Sequence, residues 1–126
     1  VYRRVPVRIM GAYHEPLQPY LIEPKMEQLV REFLESDENI VTKLARFHIE
    51  FEGIHPFVDG NGRTSRLIMN YQLLLNGYLP VSVAKENRLD YYNALEQYAV
   101  NGNLTIFASF VAVLEESQLD EYIKVV

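Results

Sequence analysis

The chain has 126 residues, enough for one domain around a single buried core. With 48% apolar and 23% charged residues it has the balance of a folded globular protein, not of a disordered one. Twelve basic against seventeen acidic side chains give a formal charge of −5, which argues against nucleic acid as a partner, because such binding draws on many Lys and Arg contacts to phosphates. No run approaches the 18 apolar residues of a membrane span. The absence of cysteine excludes disulfides and zinc–thiolate sites and suits a reducing, cytoplasmic compartment. The chain begins at Val1 with no signal-peptide pattern, as a trimmed or partial sequence would.

In chain order, Val5, Val7 and Ile9 alternate with Pro6 and Arg8, and Gly11, Pro16 and Pro19 then interrupt the pattern. This reads as a small β-hairpin flap over about residues 5–22. Pro24 suits the first position of a helix that places Met26, Leu29, Val30, Phe33 and Leu34 at helical spacing and stops near Ser36-Asp37. A second helix runs from about Asn39 to Gly53, with Ile40, Leu44, Phe47, His48 and Phe51 on one face. Pro56 disfavours helical geometry at His55, so that histidine should lie just past the helix end. A third helix covers roughly Arg63 to Asn76, with Leu67, Ile68, Tyr71, Leu74 and Leu75 expected inside and Gly77 closing it. Two more span about Lys85–Ala99 and Leu104–Tyr122, the last capped by Asn103. The expected fold is an all-α, compact helical bundle with the flap near its N-terminus, one domain over residues 1–126.

Between the second and third helices lies the segment His55-Pro-Phe-Val-Asp59-Gly60-Asn61-Gly62-Arg63-Thr64-Ser65-Arg66. Glycines let the backbone take positive φ and approach a ligand closely. A turn of this kind ahead of a helix aims several N–H groups at one point, where the helix dipole favours an anion. An isolated Gly-x-Gly is ordinarily just a capping loop. The arginines shift that balance: Arg63 and Arg66, three apart, share a face of the first helical turn, where cations oppose the dipole unless an anion lies between. Guanidinium forks match phosphate oxygens. Asp59, beside such an anion, is a natural Mg²⁺ ligand, or else an ordinary turn-forming aspartate. His55, with an ordinary pKa near 6.5, is the candidate general base. His48 and His14 read as structural or undetermined, and Phe57 as an anchor of the loop on the core. No Walker-type loop, dinucleotide fingerprint or zinc spacing is present.

These residues strongly resemble the signature of the Fic-domain family, His-Pro-Phe-x-Asp/Glu-Gly-Asn-Gly-Arg-x-x-Arg, at every fixed position. The likeness extends to Arg8-Ile9-Met10-Gly11, Leu67-Ile68-Met69-Asn70, Gly77-Tyr78-Leu79-Pro80 and Asp90-Tyr91-Tyr92, similar to a subgroup that includes animal enzymes and many bacterial relatives. A bacterial cytoplasm is the expected setting.

The resemblance implies a Fic-type bundle that transfers AMP from ATP to a Ser, Thr or Tyr hydroxyl of a target protein or of itself. By it, His55 accepts the hydroxyl proton and Asp59 holds Mg²⁺ between the α- and β-phosphates. Asn61 and the N–H groups from Gly60 through Gly62 to Arg63 stabilise the α-phosphate, Arg63 meets the β-phosphate and Arg66 the γ-phosphate. Thr64 and Ser65 in the loop, Met10, Gly11, Ala12 and Tyr13 in the flap, and Tyr91 fall among its nucleotide-binding positions. The flap would hold the protein substrate by edge addition, and a homodimer is left open. Another nucleotide donor, removal of AMP, or a non-catalytic module binding nucleotide or a partner are the alternatives. Gly62 argues against the related branch that transfers phosphate, which has lysine there. Relatives also carry an inhibitory helix of the form Ser/Thr-x-x-x-Glu-Gly/Asn, upstream of this region in the subgroup. Ser117-Gln-Leu-Asp-Glu121 matches its first five positions, but Tyr122 does not, and an ordinary helix accounts for the match.

Overall fold

In a computed structural model describing residues 1–8 and 15–125, the chain forms five α-helices. These are α1 (Pro19–Glu35), α2 (Ile40–Ile54), α3 (Asn61–Leu75), α4 (Arg88–Asn101) and α5 (Thr105–Val125), with a short 3₁₀ turn at Lys85–Asn87 leading into α4. Helix α2 is the hub, packing against α1, α3, α4 and α5. Its sequence explains why: Leu44, Ala45, Phe47, His48, Ile49, Phe51 and Ile54 are all buried, so it is apolar around most of its circumference. Asn39 starts it, accepting the Thr42 N–H at 3.0 Å.

Three apolar clusters arranged around α2 make the core. Ile22, Met26 and Leu29 of α1 meet Phe47, Phe51 and Ile54. Met69 and Leu73 of α3 meet Leu44, Val81 and Leu114. Ala45 and Ile49 meet Ala94, Phe107 and Val111 from α4 and α5. The extended segment after α3 is tied down by side chains: Asn70 exchanges hydrogen bonds with the Val81 N–H and C=O at 2.8 and 3.0 Å, and the buried Glu115 accepts the Leu79 N–H at 2.7 Å.

The expected hairpin flap is not what the described residues form: they contain no strand. Residues 5–8 and 15–18 have no regular structure, residues 9–14 lie outside the described part, and Pro19–Ile22 are already helical. Ahead of the expected flap, the Arg3 N–H binds the Pro56 carbonyl at 2.8 Å and ties the start of the chain to the loop after α2. Pro6 removes a ladder donor. Pro19 supplies the pre-set φ of a helix start, and Ile22 is fully enclosed in the core. Helix α1 therefore begins five residues before the expected Pro24, which sits inside it.

Candidate active site

Helix α2 ends in an unusual way. His55 is its C-cap at φ 51°, ψ 62°, the single non-glycine among the described residues with positive φ. Its N–H reaches back to the Phe51 carbonyl at 2.9 Å, closing the last turn. Such a conformation costs a β-carbon-bearing residue on the order of 1–3 kcal/mol and persists only where its surroundings enforce it. The enforcement comes from both directions. Pro56 follows and is buried. The guanidinium of Arg3, itself 4% exposed, donates to the His55 carbonyl at 2.6 Å and to the Ile54 carbonyl at 3.2 Å.

The loop then folds on Asn61. Its side chain accepts the Phe57 N–H at 2.9 Å and donates to the Phe57 carbonyl at 2.7 Å, bridging the loop from within. Phe57 in turn packs on Tyr2 and Phe51, fastening the loop to the first core cluster. Gly60 at φ 80° is the N-cap of α3, a conformation for which glycine is the natural residue. Helix α3 begins at Asn61, two residues before the expected Arg63, so Asn61 and Gly62 belong to its first turn. The Thr64 N–H to Gly60 carbonyl bond, 2.9 Å, closes that turn. The N–H groups of Asn61, Gly62 and Arg63 lie ahead of it, the standard unsatisfied donors of a helix start.

Both arginines lie back over the glycines. A β-carbon on Gly60 would stand 3.2 Å from Arg63 Nη2, and one on Gly62 would stand 3.0 Å from Arg66 Nη1. Two exposed guanidinium groups therefore flank the open N–H groups at a helix N-terminus, where the dipole opposes a cation and favours an anion between them. Asp59 is almost wholly exposed. One of its oxygens accepts the Gly60 N–H at 2.8 Å and the other is 3.4 Å from Arg63 Nη2. Among the described residues no cluster of three metal-ligating side chains occurs. A single carboxylate is nonetheless the usual protein share of a Mg²⁺ site that takes its remaining ligands from phosphates and water.

The His55 ring is half-buried, with Nδ1 enclosed and without a hydrogen-bond partner, which leaves the other nitrogen as the accessible one. Burial, then the charge of Arg3, holds its pKa below the ordinary value, so the ring is neutral and able to accept a proton at neutral pH.

Behind the loop lies a polar layer that joins α2, α3 and α4. The Ser65 hydroxyl donates to Glu52 at 2.6 Å, and burial raises that carboxyl above its ordinary range. His48 Nε2 and the Tyr91 hydroxyl are 2.7 Å apart. The His48 ring stacks on Phe107, and burial, helped by the charge of Arg66, lowers it to about 4. Tyr91 is held above its ordinary range, chiefly by burial.

The structure thus brings His55, Asp59, Gly60, Asn61, Gly62, Arg63, Thr64, Ser65 and Arg66 into one junction and sets Tyr91 behind it. Met10, Gly11, Ala12 and Tyr13 lie outside the described residues. The Asn61 side chain, linked by the resemblance to the α-phosphate, here closes the loop, so its backbone N–H is the part left for a ligand. Sequence reasoning passed over Glu52 and saw Arg3 only as a basic residue. His48, Glu52 and His55, spaced by four and three, would have marked a polar inward stripe on an apolar helix.

A model of the Fic/DOC family matches residues 1–73, more than half of the chain and the whole junction. The chain belongs to the Fic/DOC family. It is 37% identical over 125 residues to a protein named protein adenylyltransferase Fic in Drosophila grimshawi, covering 97% of this chain and 25% of that protein. The Drosophila melanogaster protein of the same name is 38% identical with the same coverage. Among solved structures, Fic-1 of C. elegans (aa134–508) superposes with a TM-score of 0.82 at 29% identity, over 98% of this chain and 36% of that one. A Fic family protein from Desulfovibrio desulfuricans G20 gives 0.85 at 29%, over 98% and 41%. This Fic chain therefore spans about a quarter of the length of those curated relatives. The matches include insects, a nematode and bacteria and do not single out a bacterial source. No helix among the described residues is long and apolar enough to cross a membrane. The Ser117–Glu121 stretch lies in α5, where Glu121 is exposed and pairs with Lys124 at 3.5 Å, as an ordinary helix surface would.

Proposed function

We propose that this chain is the adenylyltransferase domain of a longer protein, moving AMP from ATP to a hydroxyl of a protein substrate. The observation that carries the reading is the junction itself. A half-buried, neutral imidazole at the end of α2 stands four residues before a carboxylate and a glycine-walled helix start flanked by two arginines. The curated relatives named protein adenylyltransferase Fic supply the choice of AMP as the transferred group.

In this mechanism the triphosphate lies at the N-terminus of α3, where the N–H groups of Asn61, Gly62 and Arg63 and the dipole favour its charge. Arg63 and Arg66 move off Gly60 and Gly62 to hold the outer phosphates in bidentate fashion. Asp59 is the residue suited to hold Mg²⁺, whose chemistry is to offset phosphate charge. The substrate hydroxyl oxygen bonds to the α-phosphorus as the bond from that phosphorus to the β-bridging oxygen breaks. His55 accepts the hydroxyl proton, and pyrophosphate leaves. Asn61 keeps the loop closed around Phe57, and Ser65 with Glu52 holds α3 in register with α2. The protein target docks near the nucleotide, with residues 10–13 and Tyr91 contributing to the nucleotide pocket, and the source is a cell interior where ATP is abundant.

The test uses ATP labelled on the α-phosphate, Mg²⁺ and a panel of proteins that includes the chain itself. The expected result is covalent label on a Ser, Thr or Tyr of at least one protein. Label transferred only from γ-labelled ATP, or from a different nucleotide, would reject AMP as the group moved. Calorimetric ATP binding with no transfer to any protein would favour a non-catalytic module.

A further inference from the structure

The strained conformation of His55 has a specific cause fifty-two residues away in sequence. Arg3 is buried, yet among the described residues no carboxylate pairs with it. Its donors go instead to backbone carbonyls: Nε to His55 at 2.6 Å, Nη2 to Ile54 at 3.2 Å, Nη1 to Val5 at 2.9 Å, and Nη2 also to Leu17. Its own N–H takes the carbonyl of Pro56 at 2.8 Å. Three consecutive carbonyls, 54 through 56, are thus held by one residue. They belong to the two peptide planes that bracket His55 and to the one that follows. The guanidinium also sits at the C-terminal end of α2, where the helix dipole and the last carbonyls favour a cation without any acidic partner. Burial pulls the guanidinium below its ordinary range, yet a guanidinium is so strong a base that it remains charged at neutral pH.

We propose that Arg3 is a positioning residue for the transfer reaction: its guanidinium fork holds the peptide planes on both sides of His55, and so fixes where the imidazole points relative to the phosphate cradle. This rests on the transferase reading above. The geometry requires a rigid, planar set of donors, because the carbonyls of residues 54 and 55 diverge at a left-handed residue and one point charge cannot meet both along their lone pairs. A second consequence follows from the same placement. The charged residues on the elements that adjoin His55 are Arg3 in the N-terminal segment, Glu52 one turn back in α2, Asp59 in the loop, and Arg63 and Arg66 at the start of α3. Arg3 is the charged group that acts on the ring, in the direction that keeps it neutral.

The test compares wild type, Arg3→Gln and Arg3→Lys by three measurements. Backbone chemical shifts of His55 report its φ, a histidine-selective NMR titration follows its midpoint, and ATP affinity is measured beside kcat and KM for AMP transfer. In Arg3→Gln, His55 leaves its left-handed shifts and its midpoint rises. Transfer kcat falls by about a hundredfold, the loss expected of an atom misplaced by about 1 Å. ATP affinity and the His48 midpoint stay within about twofold and a few tenths of a pH unit of wild type, since neither touches Arg3. Arg3→Lys keeps the charge and so keeps the low midpoint, but recovers only part of kcat. Wild-type kcat and wild-type His55 shifts in Arg3→Gln overturn the proposal. If Arg3→Gln does not fold, Arg3→Lys decides: full wild-type kcat in that variant overturns it. If the wild-type chain transfers no AMP at all, the transferase reading fails, while the His55 shifts and midpoint still test the hold of Arg3 on that residue.

Discussion

At its N-terminal end α2 starts from an ordinary cap, with Asn39 accepting the Thr42 N–H. Arg46 meets both oxygens of Glu38 at 2.9 and 3.1 Å, and Lys43 lies over the Phe33 ring at 4.6 Å. A cavity of about 290 Å³ opens there, lined by Leu29, Phe33 and Phe47 with those charges around it, yet every charge named has its partner. At the C-terminal end the same helix closes on a left-handed histidine. The cations beyond it lie over glycines or bind backbone carbonyls, apart from one long, exposed contact of Arg63 with Asp59. This cavity and the chemistry are therefore at opposite ends of α2. What marks the functional end is violation of local rules, a β-carbon at positive φ and arginines at a helix N-terminus, and such violations are kept where function requires them.

Breaking the functional end should have the largest effect. His55→Ala is expected to lower AMP transfer by about 10²–10⁴-fold while ATP affinity, read by calorimetry, stays near wild type. Undiminished labelling would remove the imidazole from the mechanism. Next comes acid lability behind the site. The His48 ring falls from 6.5 in the unfolded chain to about 4 in the fold, so the unfolded state binds more protons between those values. Stability is complete above pH 6.5 and is lost as pH falls toward 4, by up to about 3 kcal/mol. Glu52, raised in the fold, opposes this, because its contribution grows as pH falls toward 4.5. Urea titrations at pH 7, 5.5 and 4.5 should show the acid loss in wild type and a smaller one in His48→Phe, where His55, also lowered in the fold, still contributes. An equal slope in both would assign the loss elsewhere.

Asn61→Ala removes both bonds to the Phe57 backbone and should cost about 2 kcal/mol, with weaker ATP binding as the loop opens. Retained stability and affinity would mean that Phe57 alone anchors the loop. Gly60→Ala places a β-carbon at φ 80° and close to Arg63, at a cost of about 1–2 kcal/mol in thermal unfolding. At the other end of α2, Arg46→Ala breaks a half-exposed ion pair. It should cost about 0.2–1 kcal/mol and leave transfer unchanged. A large loss of transfer there would erase the contrast between the two ends.

The helices were legible from periodicity, and the motif from its residue types, because both are local signals. Choosing among faces was not. Helix α3 carries two apolar stripes: of the expected set, Leu67, Tyr71, Leu74 and Leu75 are exposed and Ile68 alone packs on the core, while Ser65, Met69 and Leu73 are buried. Spacing reveals a stripe but not which neighbour covers it. In α1, Val30 and Leu34 are exposed for the same reason. At the start of α1 two prolines, Pro19 and Pro24, each suit a first turn, and only the burial of Ile22 selects the earlier. The hairpin reading rests on three alternating residues, too short a run to specify a partner strand, and Ile9 lies outside the described residues. The role of Arg3 is not local either, its carbonyl partners near His55 lying more than fifty residues on, where no window of sequence contains both.

The most direct measurement is a crystal structure of this domain with a non-hydrolysable ATP analogue and Mg²⁺. The phosphates should lie against the N–H groups of Asn61, Gly62 and Arg63, with Arg63 and Arg66 turned from the glycines onto them and the open nitrogen of His55 facing the α-phosphorus. A nucleotide bound elsewhere, or a His55 ring directed away from the α-phosphorus, would contradict the account.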